Sequence, residues 1–186
     1  MSEPTHPYQL FADEFTREDI ADLVDFDCGQ AAWAQAATQW ICGSDVWESI
    51  KSRGTNVWVY RNIADVVVGF GSLGITRRRW PPPDGGHSNF LFIPMLGIDK
   101  HFHGQPADEQ FRYSRQIISH LRFEAVQILN QHLDAGRSTL PILSLLVHRD
   151  NARAIMLYQR FGFLVEDSAS RGDQLLMTQS LSMPTS

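Results

Sequence analysis

The sequence predicts a mixed α/β sheet covered by helices on both faces. Three observations predict it. Helix-period segments fill the first fifty residues. Alternating and β-branched runs follow. The remainder reads strand, helix, strand, helix, strand, an order that builds a sheet with crossovers. With 186 residues and no internal repeat or low-complexity linker, the expected organisation is one domain over 1–186, with the tail after Leu181 outside the fold.

Each element has its own signal. Thr16 with Asp19 three residues on resembles a capping box, and Ile20, Leu23 and Val24 supply an apolar face, so a first helix is expected from Thr16. An Ala-rich segment predicts a second helix over about Gln30–Ile50, broken in two at Gly43. Thr55–Arg61 alternates and Val66–Ile75 is β-branched before turning Gly-rich, a hairpin with its turn near Asn62–Asp65. Trp80–Gly86, with three prolines and two glycines, is a loop inside the domain, and Asn89–Ile98 is a third strand. A long helix ends near Leu133, with Ile117, Leu121, Ala125, Ile128 and Leu129 at helical spacing. Ile142–Val147 is a nearly uniform apolar strand, as for one buried on both faces. A helix over Asn151–Arg160 and closing strands Phe163–Glu166 and Gln174–Leu181 complete the chain.

Composition narrows the function. Apolar residues at 43% and charged residues at 20% are globular proportions. No apolar run approaches the ~20 residues that span a bilayer, and the polar, acidic start lacks the pattern of a signal peptide. Two cysteines, Cys28 and Cys42, make neither a disulfide framework nor a four-cysteine zinc site, so a cytoplasmic protein with reduced thiols and no membrane partner is expected. The net charge of −5 is uneven: residues 1–76 hold 4 basic and 11 acidic side chains, residues 77–186 hold 12 and 10. An acidic chain is a poor non-specific binder of nucleic acid, although the second part suits a phosphate-bearing ligand.

The most specific segment runs from Leu145 to Phe163. After a buried strand come Asn151 at a helix start, Ala154 and Tyr158 on the same helix face, and Gly162-Phe163 at its exit. Asn suits the first position because its side chain accepts from free first-turn amides, and Gly suits a left-handed C-terminal cap. By itself this is a capped amphipathic helix. The pattern Asn-x-x-Ala-x-x-x-Tyr-x-x-x-Gly-Phe also resembles the last motif of the GNAT acyltransferases, with every position present, and the family's order of elements fits from about Phe11 to Leu181.

That resemblance implies a mostly antiparallel sheet of six to seven strands with a splayed central parallel pair. It implies acetyl-CoA as co-substrate, with the pantetheine filling the gap between strands 89–98 and 142–147. Tyr158 would be the catalytic acid that protonates the leaving thiolate, since a phenol of pKa ~10 holds its proton at neutral pH. Asn151 would bond the pantetheine, and the backbone N–H groups of Leu96, Gly97 and Ile98 would polarise the thioester carbonyl. Pro94, which cannot donate to a ladder, and Gly97 fit a bulged strand there.

One part departs from the family pattern. The family's pyrophosphate loop, Arg/Gln-x-x-Gly-x-Gly/Ala, has its nearest literal match in His103–Asp108, which keeps only Gly104. A second register lengthens the loop over Asp99–Gln110 and puts Arg112, Tyr113, Ser114 and Arg115 at the helix start. It exchanges the acidic Asp108 and Glu109 for two arginines, which suits an anion.

The acceptor is expected to be a small-molecule or peptide amine, bound by residues 1–50 and the 76–88 loop. His148, Asp99, Glu124 and Asp150 are all candidate bases. His101 and His103 lack the further ligands of a metal site. Ser72 lacks a nucleophile-elbow sequence, and Arg77-Arg-Arg-Trp80 is either a solvated loop tip or a rim for an anionic partner. Phe26-Asp-Cys-Gly29 is similar to the N-terminal region of GNAT toxins that acetylate aminoacyl-tRNA, which keeps tRNA as an alternative acceptor. The eroded glycine loop keeps a non-catalytic CoA- or partner-binding module as another. Members of the family are often dimers, so a homodimer is possible too.

Overall fold

The computed structural model describes residues 8–82, 84–104, 112–167 and 172–181. Eight strands form the sheet: β1 (Phe11–Glu14), β2 (Asn56–Arg61), β3 (Val67–Trp80), β4 (Gly86–Ile93), β5 (Leu96–Ile98), β6 (Leu140–His148), β7 (Leu164–Val165) and β8 (Gln174–Ser180). The helices are α1 (Ala32–Cys42), α2 (Asp45–Arg53), α3 (Tyr113–Asp134) and α4 (Ala152–Arg160). Strand order is β1-β2-β3-β4-β6-β8-β7, with β5 also on β3. The β4–β6 pair is parallel, and the β1–β2, β3–β4, β3–β5, β6–β8 and β7–β8 pairs are antiparallel. The chain divides into two compact units, residues 1–72 with 95–121 and residues 73–94 with 122–186.

In the first unit, α1 and α2 cover one sheet face. Gly43 separates them as the sequence predicts: a β-carbon there would stand 2.5 Å from the Gln39 carbonyl oxygen. Their apolar sides bury Ala37, Ile41 and Val46 with Val57, Val59, Val67 and Phe70. Trp40 stacks on Phe70 with ring centroids 5.7 Å apart, and Phe15 on Trp47 at 4.9 Å. The first half of α3 lies close on β3, because Gly69 and Gly71 carry no side chain. β-carbons there would come within 3.1 Å of Ile117 and 3.0 Å of Leu121.

Two expectations need correction here. The segment after Thr16 is a 3-10 helix over Glu18–Leu23, not an α-helix. Asp19 does close half of the capping box, accepting from the Thr16 N–H and hydroxyl. Of the expected apolar face, however, only Leu23 is buried, while Ile20 and Val24 are 41% and 80% exposed. With no apolar stripe to bury, a short segment lacks the packing that sustains an α-helix. Strand β1 was not expected at all. Phe-Ala-Asp-Glu has no strand alternation, and all four residues are exposed, so pairing with β2 alone orders it.

In the second unit, β6 is the central strand, with Leu143, Ser144 and Leu145 buried between β4 and β8. Ser144 spends its hydroxyl on the Leu91 carbonyl at 2.9 Å, so this polar group is buried with a partner.

Candidate active site

The site-forming features start where a strand breaks. The expected strand 89–98 is two strands, β4 and β5, because Pro94 removes a ladder donor. Pairing of β4 with β6 ends at Ile93↔Leu145, so Leu146–His148 are paired with β8 alone. Within the first unit β5 is paired with β3 alone, in the register Gly69↔Ile98, Phe70↔Gly97, Gly71↔Leu96.

That register decides which β5 amides are available. The Ser72 N–H donates to the Met95 carbonyl and the Asp99 N–H to the Val68 carbonyl, both at 2.9 Å. Hydrogen-bonded pairs alternate in an antiparallel ladder, so Gly97–Phe70 is also one and its amide faces β3. The N–H groups of Leu96 and Ile98 point to the other edge, where no described residue accepts from them. Of the three expected amides, those of Leu96 and Ile98 have no acceptor among the described residues. Gly97 serves packing instead, with a would-be β-carbon 2.6 Å from Cys28 Sγ and 2.7 Å from the Phe70 ring.

Ser72 holds the break itself. Its hydroxyl donates to the Met95 carbonyl at 2.6 Å and accepts from the Met95 N–H at 2.9 Å, replacing a ladder bond. In the sequence Ser72 stands out only as a serine between glycine-rich strand residues, without a nucleophile-elbow motif. Its position across from a Pro94-Met95 interruption is the signal that could have revealed this role.

Beyond β5, buried Asp99 is a hub. It accepts from the Asp27 N–H (2.9 Å), the His101 N–H (2.9 Å) and His101 Nδ1 (2.7 Å), so as a candidate base it is fully engaged. Lys100 pairs with Asp27 at 2.7 Å, and this contact holds the Asp27 carboxyl below its usual range. His103 Nε2 lies 2.9 Å from the Ile98 carbonyl, and Gly104 takes the left-handed conformation at φ 78°. Most of the literal pyrophosphate motif, from Gln105 to Asp108, lies outside the described residues.

Helix α3 begins at Tyr113, as the second register expects. The Arg112 carbonyl accepts from the N–H groups of Arg115 and Gln116, which leaves the amides of Tyr113 and Ser114 at the positive end of the helix. Arg112 and Arg115 are exposed and no acidic residue lies in the first turn. Tyr113 itself is buried against Tyr8 and Phe102, and burial raises its pKa.

In the second unit, Asn151 caps α4, its side chain accepting from the Ala154 N–H at 3.2 Å. Gly162 closes the helix at φ 85°. Tyr158 sits between them, 8% exposed, with its ring 5.9 Å from Phe163. No described residue hydrogen-bonds its hydroxyl. Burial pushes its pKa above the ordinary value of 10.0. His148 Nδ1 accepts from the Asp150 N–H at 3.2 Å, and Nε2 lies 3.3 Å from Asp173.

No family model matches the sequence, and no curated protein does. Solved structures do match the fold. The toxin AtaT complexed with acetyl-methionyl-tRNAfMet superposes with a TM-score of 0.63 at 16% identity, over 92% of this chain and 95% of that one. AtaTR bound with AcCoA gives 0.61 at 17% identity, over 90% and 92%. An acetyltransferase of the GNAT family from Staphylococcus aureus Mu50 gives 0.56 at 12% identity, over 94% and 100%. The chain has the GNAT fold. The expected mostly antiparallel sheet with one parallel pair is therefore observed. Among the described residues the sheet has eight strands rather than six to seven, because β1 has no sequence signal and Pro94 cuts one strand in two. Among the described residues, no helix of this GNAT fold is long and apolar enough to cross a membrane.

Proposed function

We propose that this chain is an N-acetyltransferase that moves an acetyl group from acetyl-CoA to a primary amine by direct attack. The observation that carries the reading is Tyr158: a buried phenol, on a helix capped at both ends, whose hydroxyl is bonded to no described residue. A phenol hydroxyl with no hydrogen-bond partner among the described residues is available to donate to a ligand atom that can accept from it. The residues also fit the co-substrate. Leu96 and Ile98 offer strand amides unpaired among the described residues, and the start of α3 offers amides with no described acceptor, flanked by Arg112 and Arg115 and suited to a pyrophosphate.

The roles follow from the chemistry. The amine nitrogen attacks the thioester carbon, and the new C–N bond leaves a charged oxygen that the Leu96 and Ile98 amides receive. The C–S bond then breaks. Tyr158 gives its proton to the thiolate, and the proton lost by the amine restores the phenol, directly or through water, so protons balance. A phenol titrating above 10 holds its proton until negative charge builds on sulfur. Asn151, with its side-chain oxygen committed to the cap, would contribute its amide NH2 to the pantetheine. Holding both substrates together would supply much of the rate.

Release of free CoA thiol on incubation with acetyl-CoA and an amine panel tests the reading. The panel includes small amines, peptides with free amino groups and aminoacyl-tRNA, the last because AtaT was captured with an acetylated one. Thiol release with any acceptor supports it. No release, together with no rise in melting temperature with acetyl-CoA, overturns it in favour of a module that binds something else.

A further inference from the structure

The arginine run 77–79 is part of a structured arm. Strand β3 continues to Trp80, and its residues Arg77, Arg78, Arg79 and Trp80 pair with Asn89, Ser88, His87 and Gly86 of β4. The register of β4 with β6 begins only at Phe90, so Gly86–Asn89 are paired with β3 alone. A two-stranded ribbon is marginal by itself. This one is fastened on one face, where Trp80 packs edge-on to Phe90 at 5.8 Å and the Arg78 guanidinium lies over the Phe92 ring at 5.1 Å.

Strand alternation puts Arg77, Arg79 and His87 on the opposite face. All three are exposed. None has an ion-pair or hydrogen-bond partner among the described residues. Arg79 stands directly across from His87, and Asn89, across from Arg77, ties its amide to the Ser138 carbonyl at 3.1 Å. Asp84 in the turn is the nearest acidic residue in sequence. Two cations of one strand face repeat every ~6.8 Å. Such an arrangement gains nothing for the fold, since basic groups set side by side repel. It suits a partner whose negative charge repeats along a line.

We propose that the Arg77/Arg79/His87 face of the β3–β4 arm binds the phosphodiester backbone of a nucleic acid. Arginine forks match phosphate geometry in two-point contacts, and a continuous backbone engages both arginines at once while releasing its counterions. The overall charge of −5 keeps the affinity modest and concentrates it on this arm. The arm does not depend on the transferase reading, because binding is measured without acetyl-CoA.

The test is fluorescence anisotropy with labelled single-stranded RNA and single-stranded DNA of equal length, and with a labelled poly-glutamate peptide, from 20 to 200 mM salt (about the range over which such contacts are screened). Binding of either nucleic acid is expected with a log–log salt slope near −1.4 from two arginines, about 0.7 for each on a single strand. RNA and DNA binding alike means that the backbone alone is read, and RNA alone means that the sugar is read as well. Arg77→Gln/Arg79→Gln should weaken binding roughly tenfold at low salt and flatten the slope by more than one unit. Lys51→Gln/Arg53→Gln on α2, removing the same charge elsewhere, should leave both nearly unchanged. An equal loss in the two double variants, no nucleic-acid binding, or tighter binding of poly-glutamate would overturn the proposal. The melting temperature of the arm variant should match the parent, as its exposed side chains make no ion pair or hydrogen bond with a described residue.

Discussion

Cys28 Sγ stands 2.6 Å from the place a β-carbon on Gly97 would occupy, and the Phe70 ring is 2.7 Å from the same point. This contact seats the Phe26–Gly29 segment against β5. Gly97→Ala should therefore destabilise the protein by about 1–3 kcal/mol through overpacking. Adding Cys28→Ala should recover only part of that, since Phe70 remains in the way. Urea melts of the two single variants and the double variant measure the recovery. A fully additive result would mean that Cys28 and Gly97 do not meet.

Cys28 also sets an alkaline limit. Burial, helped by the nearby Asp99 and Asp27, pushes its thiol from 9.0 up to about 12. The native state thus keeps this proton after the unfolded chain has lost it. Stability is intact below pH 9 and falls between about pH 9 and 12, with a limiting slope of about 1.4 kcal/mol per pH unit. Tyr158, also raised by burial, adds to the loss above its ordinary value of 10.0. Urea melts at pH 8, 9.5 and 10.5 should show Cys28→Ala with a shallower decline than the parent. Parallel curves would remove Cys28 as the cause.

Tyr158→Phe separates chemistry from folding. The free hydroxyl bonds to no described residue, so the variant should melt within about 0.5 kcal/mol of the parent. Its turnover should drop by roughly 10²- to 10⁴-fold, the scale of general acid catalysis, while the melting-temperature rise given by acetyl-CoA persists. Turnover that stays at the parent level would take the acid role away from Tyr158.

Ser72→Ala tests the stitch at the strand break. The Met95 N–H would lose its acceptor in a partly buried place, at a cost of about 1 kcal/mol. If the Leu96 and Ile98 amides receive the charged oxygen, kcat should fall more than the KM for acetyl-CoA rises. A loss of stability with kcat untouched would confine Ser72 to the fold.

The helix of Asn151–Arg160 was legible because its signals are local. A cap, an apolar face and a left-handed exit lie within twelve residues, and the structure has Asn151 bonded to the Ala154 N–H and Gly162 at positive φ. The break at Gly43 was legible for the same reason, whereas the start of α3 near Tyr113 followed only from counting back from strand 142–147 over a helix of the length typical of the resembling family. The segment after Thr16 departs from the helix its signals predict because its turn chemistry is real while Ile20 and Val24 face solvent.

The sequence by itself determined the order of elements, the capped helix that carries Tyr158 and the basic run before the prolines. These depend on residues close together in the chain. Tertiary structure alone decided that Gly97 turns its amide to β3 while Leu96 and Ile98 do not, that Ser72 bridges to Met95, and that Arg77 and Arg79 share a face with His87. Each of these rests on the register between strands, which is set by packing of distant side chains and shifts every group to the opposite side when it slips by one residue.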